Sequence, residues 1–289
     1  MKKFKVVLMA IIIFILVDII LALIGLSIHS SMYNQKSKNP IVTLNVDGYG
    51  EVQIELYPEY APNTVSTIVR LIQNKYYDGK VFYGLDDTAV HFGMIRNETT
   101  AEDTSTEEKV DGETEATTEA EANAIEDVLT ASDIDLSIVS GSEADKNVSI
   151  KGEFVANGYE RNTLRFEKGT VGLYRPTYTP YDATDLTENS YNAGTSLWFI
   201  STDENSSLNG LYTPFGKVIK GYEVIETISK LKVIEKEEAQ EGEIKYLESL
   251  PTIKKATVET YGINYGTPIY QEAFDYQAYF TDILLQYYQ

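Results

Sequence analysis

Residues 42–79 read VTLNVDGYGEVQIELYPEYAPNTVSTIVRLIQNKYYDG, and this stretch decides the fold. Its first part alternates apolar and polar residues on both sides of Asp47-Gly48-Tyr49-Gly50, which predicts two strands joined as a β-hairpin. Pro62 then marks a helix start, because proline is favoured at the first helical position, and apolar residues recur at helical spacing until about Asn74. A further strand follows in VFYGLDDTAVHFG, residues 81–93, so the chain opens as strand, strand, helix, strand.

The β-rich pattern resumes at Lys151. The strand candidates are GTVGLY, SLWFIST, PFGKVI and KKATVETYG, a short helix is predicted in GYEVIETISKL, and AYFTDILLQYY near the C-terminus suggests a terminal helix. The segments between them are rich in turn residues. Because strands and helices do not alternate regularly, an antiparallel barrel explains the pattern better than a doubly wound parallel sheet.

The N-terminus has the pattern of a membrane anchor. Val6 to Ile28 is an apolar run of 23 residues with one charge, Asp18, and it follows Lys2, Lys3 and Lys5. At about 1.5 Å per residue a helix of this length spans a hydrocarbon core of about 30 Å. The lysines predict a cytoplasmic N-terminus and an extracytoplasmic C-terminal domain. The alternative is a cleaved signal peptide, although the run exceeds the usual apolar region of one.

Charge is concentrated in one segment of the chain. Residues 97–150 carry 16 acidic side chains and two lysines, which accounts for −14 of the net charge of −20. The part from 97 to about 122 is low in large apolar residues, so we expect disorder there. The net charge also argues against nucleic-acid binding, because it would repel a phosphate backbone.

The predicted organisation is an anchor (1–28), a linker (29–40), a domain (41–262) interrupted by the acidic insertion (97–150), and an aromatic tail (263–289).

Several classes of site are excluded by composition. The chain has no cysteine, so it offers no disulfide, thiolate zinc site or cysteine nucleophile. The two histidines, His29 and His91, lie far apart and not at ligand spacing. We therefore expect neither a metal nor a cofactor.

Four separated stretches resemble the cyclophilin-type peptidyl-prolyl cis-trans isomerases, in the order of that family. They are the 42–79 stretch quoted above, IKGEFVANGYERNTLRFEKGTVGLYR, AGTSLWFISTDENSSLNGLYTPFGKVIKGYEVIETI and IKKATVETYG. The resemblance covers about residues 41–262 apart from the acidic insertion. It implies a mainly β fold, an eight-stranded antiparallel barrel capped by two helices, with a shallow groove for an Xaa-Pro peptide.

The resemblance also assigns groove positions, and it fails at the polar ones. The catalytic arginine of the family, within Phe-His-Arg, aligns with Gly84, so no catalytic residue is assigned. The predicted peptide-binding groove consists of Phe82, Ala89, Val90, Phe92, Tyr174, Arg175, Leu197, Phe199, Leu208 and Tyr212. Phe92 and Leu197 replace glutamines of the family, and Tyr174 replaces a small alanine. Arg175 and Arg96 are the residues considered as substitutes for the missing arginine.

These observations predict a membrane-anchored, extracytoplasmic cyclophilin-type isomerase that acts in protein folding on proline-containing polypeptides, with weak activity. Two alternatives stay open. One is an inactive cyclophilin-like module that binds proline-containing or extended peptides. The other is a structural subunit that contacts a membrane-protein partner through Asp18, the acidic insertion and the tail.

Overall fold

A computed structural model describes residues 16–20, 38–96, 129–130, 148–178, 184–234 and 243–287. The chain divides into two compact units, one of residues 1–39 with 260–264 and the other of residues 40–259 with 265–289. Of the predicted anchor, only residues 16–20 are described, and they are helical. No helix within the described ranges is long and apolar enough to cross a bilayer. The predicted anchor as a whole, and the stretch 97–122 predicted to be disordered, lie outside the described residues.

The larger unit is mainly β. Its strands are β1 (Ile41–Val46), β2 (Gly50–Leu56), β3 (Val81–Leu85), β4 (Ala89–Arg96), β5 (Leu129–Thr130), β6 (Val148–Ser149), β7 (Thr170–Leu173), β8 (Trp198–Ser201), β9 (Thr213–Lys220), β10 (Lys245–Tyr246), β11 (Ile253–Glu259) and β12 (Gln271–Glu272). Its helices are α1 (Pro62–Gln73), α2 (Thr184–Tyr191), α3 (Tyr222–Ile228) and α4 (Tyr276–Tyr287). Single 3-10 turns lie at Val155–Asn157 and Ser206–Leu208.

Ten of these strands form one curled antiparallel sheet in the order β10-β3-β4-β8-β7-β9-β2-β1-β11, with β5 added to β4, and β12 pairs with β6 in a separate two-stranded sheet. The start of β3 also bonds to the start of β11, because Phe82 N–H donates to Pro251 O (2.9 Å) and Ile253 N–H donates to Lys80 O (2.7 Å). The predicted antiparallel, mainly β class is confirmed. The sheet has ten strands instead of the predicted eight, because two short strands extend it: β5 in the acidic insertion and β10 before β11.

The predicted hairpin and helix are both present. β1 and β2 pair from Ile41↔Glu55 to Val46↔Gly50, and Gly48 takes a positive φ of 75° in the turn. α1 begins at Pro62 and buries Val65, Ile68, Val69, Leu71 and Ile72 against the inside of the sheet. The other strand candidates became β7, β8, β9 and β11, and the two predicted helices became α3 and α4.

One helix was not expected from the sequence. α2, TDLTENSY, lies in the turn-rich region between β7 and β8 and has little apolar character. It is held by Leu186 and Ser190, which are 1% and 2% exposed, and Ser190 Oγ donates to Pro176 O (2.7 Å). Tertiary contacts rather than local propensity therefore fix this helix.

Candidate peptide-binding site

A cluster of aromatic side chains lies on the face of the sheet opposite the main core. Ala89, Phe166 and Phe199 are buried there, and Tyr174, Leu208 and Tyr212 pack around them; we call these six residues the aromatic cluster. Phe199 is central, because its ring stacks on Phe166 (centroids 5.4 Å apart) and meets Tyr212 edge-on (5.9 Å). Successive strand residues point to opposite faces, so Trp198 and Ile200 on either side of Phe199 enter the main core instead.

The structure brings together half of the predicted groove. Ala89, Tyr174, Phe199, Leu208 and Tyr212 belong to the aromatic cluster. Arg175 borders it, since its guanidinium carbon lies 4.3 Å from the centre of the Tyr212 ring. Leu197 lies in a separate small cluster with Tyr83 and Met94.

The other three predicted residues face the opposite way. Phe82, Val90 and Phe92 are fully buried in the main core, where the Phe92 ring packs on Phe82 (4.8 Å) and Trp198 (4.9 Å). The cause is a bulge in β3, which pairs Phe82 with Phe92 and Gly84 with His91 and leaves Tyr83 as an extra residue. Because a shift of one residue exchanges the two faces of a strand, an alignment by sequence alone assigns the wrong set of β4 residues to the surface.

His91 is the residue that this bulge places beside the aromatic cluster. It alternates with Ala89 on β4, and its ring centre lies 5.6 Å from both Tyr174 and Phe199. Tyr174 meets the imidazole edge-on. His91 was not predicted as a groove residue, although its spacing of two from Ala89 is a signal that would have placed both side chains on one face of the strand.

Asp86 holds His91 from the turn that precedes β4. The Asp86 Oδ2 and His91 Nε2 atoms are 2.7 Å apart, and Thr88 N–H donates to Asp86 Oδ1 (2.8 Å). Burial raises the pKa of the Asp86 carboxyl, but the hydrogen bond and charge of His91 together with two backbone N–H groups outweigh it and leave the pKa below its usual value. The pair is therefore a carboxylate with an imidazole oriented by it.

Gly84 lies directly across the sheet from His91 and carries no side chain toward the site. It also pairs with Tyr246 of β10. A β-carbon at this position would collide with the Ile244 side chain and lie 3.1 Å from Lys245 O. The neighbouring strand β10 therefore occupies the space that a longer residue at Gly84 would need.

Arg175 is buried and committed to other partners. Its Nε and Nη2 donate to Leu211 O (3.2 and 2.9 Å), and its Nη1 donates to Ser190 Oγ (2.6 Å). Burial lowers the pKa of its guanidinium, a shift that nearby tyrosines oppose. Arg96 continues β4, where its backbone pairs with Leu129, but the position of its side chain lies outside the described residues.

Residues 41–248 match the family described as "Cyclophilin type peptidyl-prolyl cis-trans isomerase/CLD". The chain belongs to the cyclophilin family. No curated protein matches it. Two solved structures of a cyclophilin type peptidyl-prolyl cis-trans isomerase from Cryptosporidium parvum are similar: one has 15% identity and a TM-score of 0.45, with 76% of this chain and 97% of that chain covered. The other, in the presence of the dipeptide Ala-Pro, has 14% identity and a TM-score of 0.40, with 73% and 98% covered.

A cyclophilin from Hirschia baltica is similar as well, with 16% identity, a TM-score of 0.39, and 75% of this chain and 73% of that chain covered.

The cyclophilin site described here combines an apolar floor with one polar pair. Phe199 and Phe166 form a buried floor beneath the partly exposed Tyr174, Leu208 and Tyr212, and the Asp86–His91 pair is next to it. Among the described residues, no group of three or more histidine, cysteine, aspartate or glutamate side chains is arranged to hold a metal ion. The arrangement suits non-covalent binding of an apolar peptide segment.

Proposed function

We propose that this cyclophilin is a membrane-anchored, extracytoplasmic peptidyl-prolyl isomerase that binds proline-containing polypeptides and catalyses their isomerisation slowly. The family membership supports the reaction. The aromatic cluster supports the substrate class, because an apolar aromatic surface is suited to a pyrrolidine ring.

The observation that carries the proposal of slow turnover is Gly84. Rotation of an Xaa-Pro bond has to cross a barrier of roughly 18–20 kcal/mol set by amide resonance. A cationic donor at the prolyl nitrogen weakens that resonance and so binds the twisted transition state more strongly than the ground state. Here the position of the family arginine is a glycine covered by Ile244, and Arg175 is held by Leu211 and Ser190.

The expected loss of catalytic rate can be taken from enzymes that lose a comparable hydrogen-bond donor. Removal of one preorganised donor in an acyl-transfer enzyme costs about 10²- to 10³-fold in rate. The full-length protein in detergent should therefore accelerate isomerisation of a short Xaa-Pro peptide by less than about one hundredth of what a cyclophilin with its arginine achieves. NMR exchange spectroscopy on that peptide measures the rate, and near-normal catalysis would refute the proposal of weak activity.

The anchor is supported by sequence only. The apolar run Val6–Ile28 follows Lys2, Lys3 and Lys5, and this charge bias favours a cytoplasmic N-terminus. Protease added to intact cells should remove the C-terminal domain while the N-terminus stays protected. A domain that is protected in intact cells, or one released into the medium by cleavage after the run, would contradict this topology.

A second candidate function is peptide binding without turnover, which the aromatic cluster favours because it is complete while the cationic donor is missing. Titration with a proline-rich peptide, repeated with Tyr174→Ala, tests it. A changed affinity in Tyr174→Ala, with no change in Tyr60→Ala, would identify the cluster as the binding surface; Tyr60 is a matched control because its ring contacts only Tyr57 among the described aromatic pairs. Absence of binding in every form would eliminate this function.

A further inference from the structure

The residue paired with Gly84 across the sheet is a histidine. In the antiparallel pair β3–β4, Gly84 lies opposite His91, and residues directly opposite each other share one face of a sheet. The imidazole is therefore the nearest polar side chain on β4 to the position that the family arginine would occupy. It also contacts Phe199 and Tyr174 of the aromatic cluster.

Only one nitrogen of this imidazole is used. Nε2 is paired with Asp86, whereas Nδ1 is buried and has no hydrogen-bond partner among the described residues. Tyr83 Oη, whose ring centre is 6.0 Å from that of His91, is buried without a partner among those residues as well. Buried polar atoms without partners are unfavourable and uncommon in folded proteins, so two of them on neighbouring rings beside Tyr174 point to a ligand.

Tyr174 is the most exposed of the three rings that surround His91, the others being Tyr83 and Phe199. Tyr174 packs edge-on against the imidazole and is only partly buried, while Phe199 beneath is 2% exposed. A rotation of the Tyr174 side chain would uncover His91 without disturbing the floor of the cluster. This is the movement that a bound peptide has to cause.

We propose that His91, oriented by Asp86, forms a hydrogen bond through Nδ1 with the bound proline-containing peptide, on the strand position opposite Gly84. The inference rests on the proposed function and identifies the polar group of that same site. No covalent bond forms or breaks. Nε2 stays paired with Asp86, and Nδ1 is the atom that pairs with a polar group of the peptide.

The other polar groups near His91 have partners of their own. Asp86 is the only carboxylate within hydrogen-bond distance of His91 among the described residues, and it pairs with Nε2 rather than Nδ1. The guanidinium of Arg175 is turned toward Leu211 and Ser190.

The test is peptide binding and isomerisation by the full-length protein and its His91→Phe variant. His91→Phe should bind an Ala-Pro-containing peptide about tenfold more weakly, because phenylalanine keeps the aromatic ring but cannot form the hydrogen bond. His91→Gln should keep most of the affinity, since an amide can hydrogen-bond both Asp86 and the peptide.

Two further variants separate the roles in the pair. Asp86→Asn should also weaken peptide binding, because it changes the partner that orients the imidazole, while Asp87→Asn, at the exposed neighbouring residue, should leave binding unchanged. In a His29→Gln background His91 is the only histidine, so its imidazole ¹⁵N resonances report peptide contact directly, even if a His91 variant fails to fold.

The outcomes distinguish this inference from the proposed function. If His91→Phe binds and isomerises the peptide as the wild type does and the Nδ1 resonance does not move on binding, His91 does not contact the peptide although the function stands. If no peptide is bound or isomerised by any form of the protein, the proposed function fails with it.

Discussion

Glu153 caps helix α1 from a distant part of the chain, and its removal should be costly. Ala61, at the N-cap of α1, makes no side-chain cap bond. Instead the Glu153 carboxylate accepts hydrogen bonds from Asn63 N (2.9 Å), Thr64 N (2.8 Å) and Thr64 Oγ1 (2.7 Å). A negative charge at a helix N-terminus also interacts favourably with the helix dipole.

The magnitude follows from these three bonds. Loss of an N-cap costs about 0.5–2 kcal/mol. Thr64 is 0% exposed, so water does not readily replace the acceptor of its hydroxyl, and an unsatisfied buried donor costs about 1–3 kcal/mol. Part of this loss of stability is offset in the variant, because no carboxylate has to be desolvated when the variant folds. We expect Glu153→Ala to lower the free energy of unfolding by about 3 kcal/mol, which corresponds to about 6–12 °C in Tm for a chain of this size.

Urea unfolding followed by the fluorescence of Trp198 measures this loss, because Trp198 is the only tryptophan and is fully buried. Glu160→Ala is the matched control: Glu160 is exposed in the same loop, and its substitution should change stability by less than about 0.5 kcal/mol. If Glu153→Ala were as stable as the control, the distant carboxylate would not be the cap of α1.

Three other predictions follow from the same structure. Gly84→Arg should lower the free energy of unfolding by about 1–3 kcal/mol through its collision with Ile244, without restoring isomerase activity; a stable and active variant in the exchange assay would contradict this. Tyr77→Phe should cost about 1–3 kcal/mol in urea unfolding, because Trp198 Nε1 donates to Tyr77 Oη (2.6 Å) and would be left buried without an acceptor. Burial raises the pKa of Glu153 despite its three hydrogen bonds, so the folded state binds a proton more tightly than the unfolded state. The wild type should then lose stability relative to Glu153→Gln as the pH rises from the usual glutamate pKa through the raised one. A stability advantage of the wild type that grows with pH would refute the raised pKa of Glu153.

Much of the fold was predictable because its signals are local. The β1–β2 hairpin has alternating residues around a glycine turn, and α1 has Pro62 at its start with apolar residues at helical spacing. The strands after Lys151 were recognised for the same reason. Such patterns depend only on neighbours in the sequence, so they can be interpreted without knowledge of the tertiary structure.

The site was less predictable because it depends on register. The sequence shows Phe82, Gly84, Val90 and Phe92, but it does not show that β3 bulges at Tyr83 and so turns Val90 and Phe92 into the core. His91 was therefore missed as a groove residue. Glu153 was missed for a different reason: no local pattern connects it to a helix start about 90 residues earlier.

Strand β1 has a partner on each side, and the two partners are made at very different times. Its pairing with β2 forms within a short hairpin, but the other edge pairs Ile41 with Glu259 of β11. That edge stays open while almost the whole domain is being synthesised, and long-range pairing of this kind slows folding. We expect this domain to complete its folding only after β11 has left the ribosome, so a chain cut short before β11 would expose an unpaired strand and aggregate.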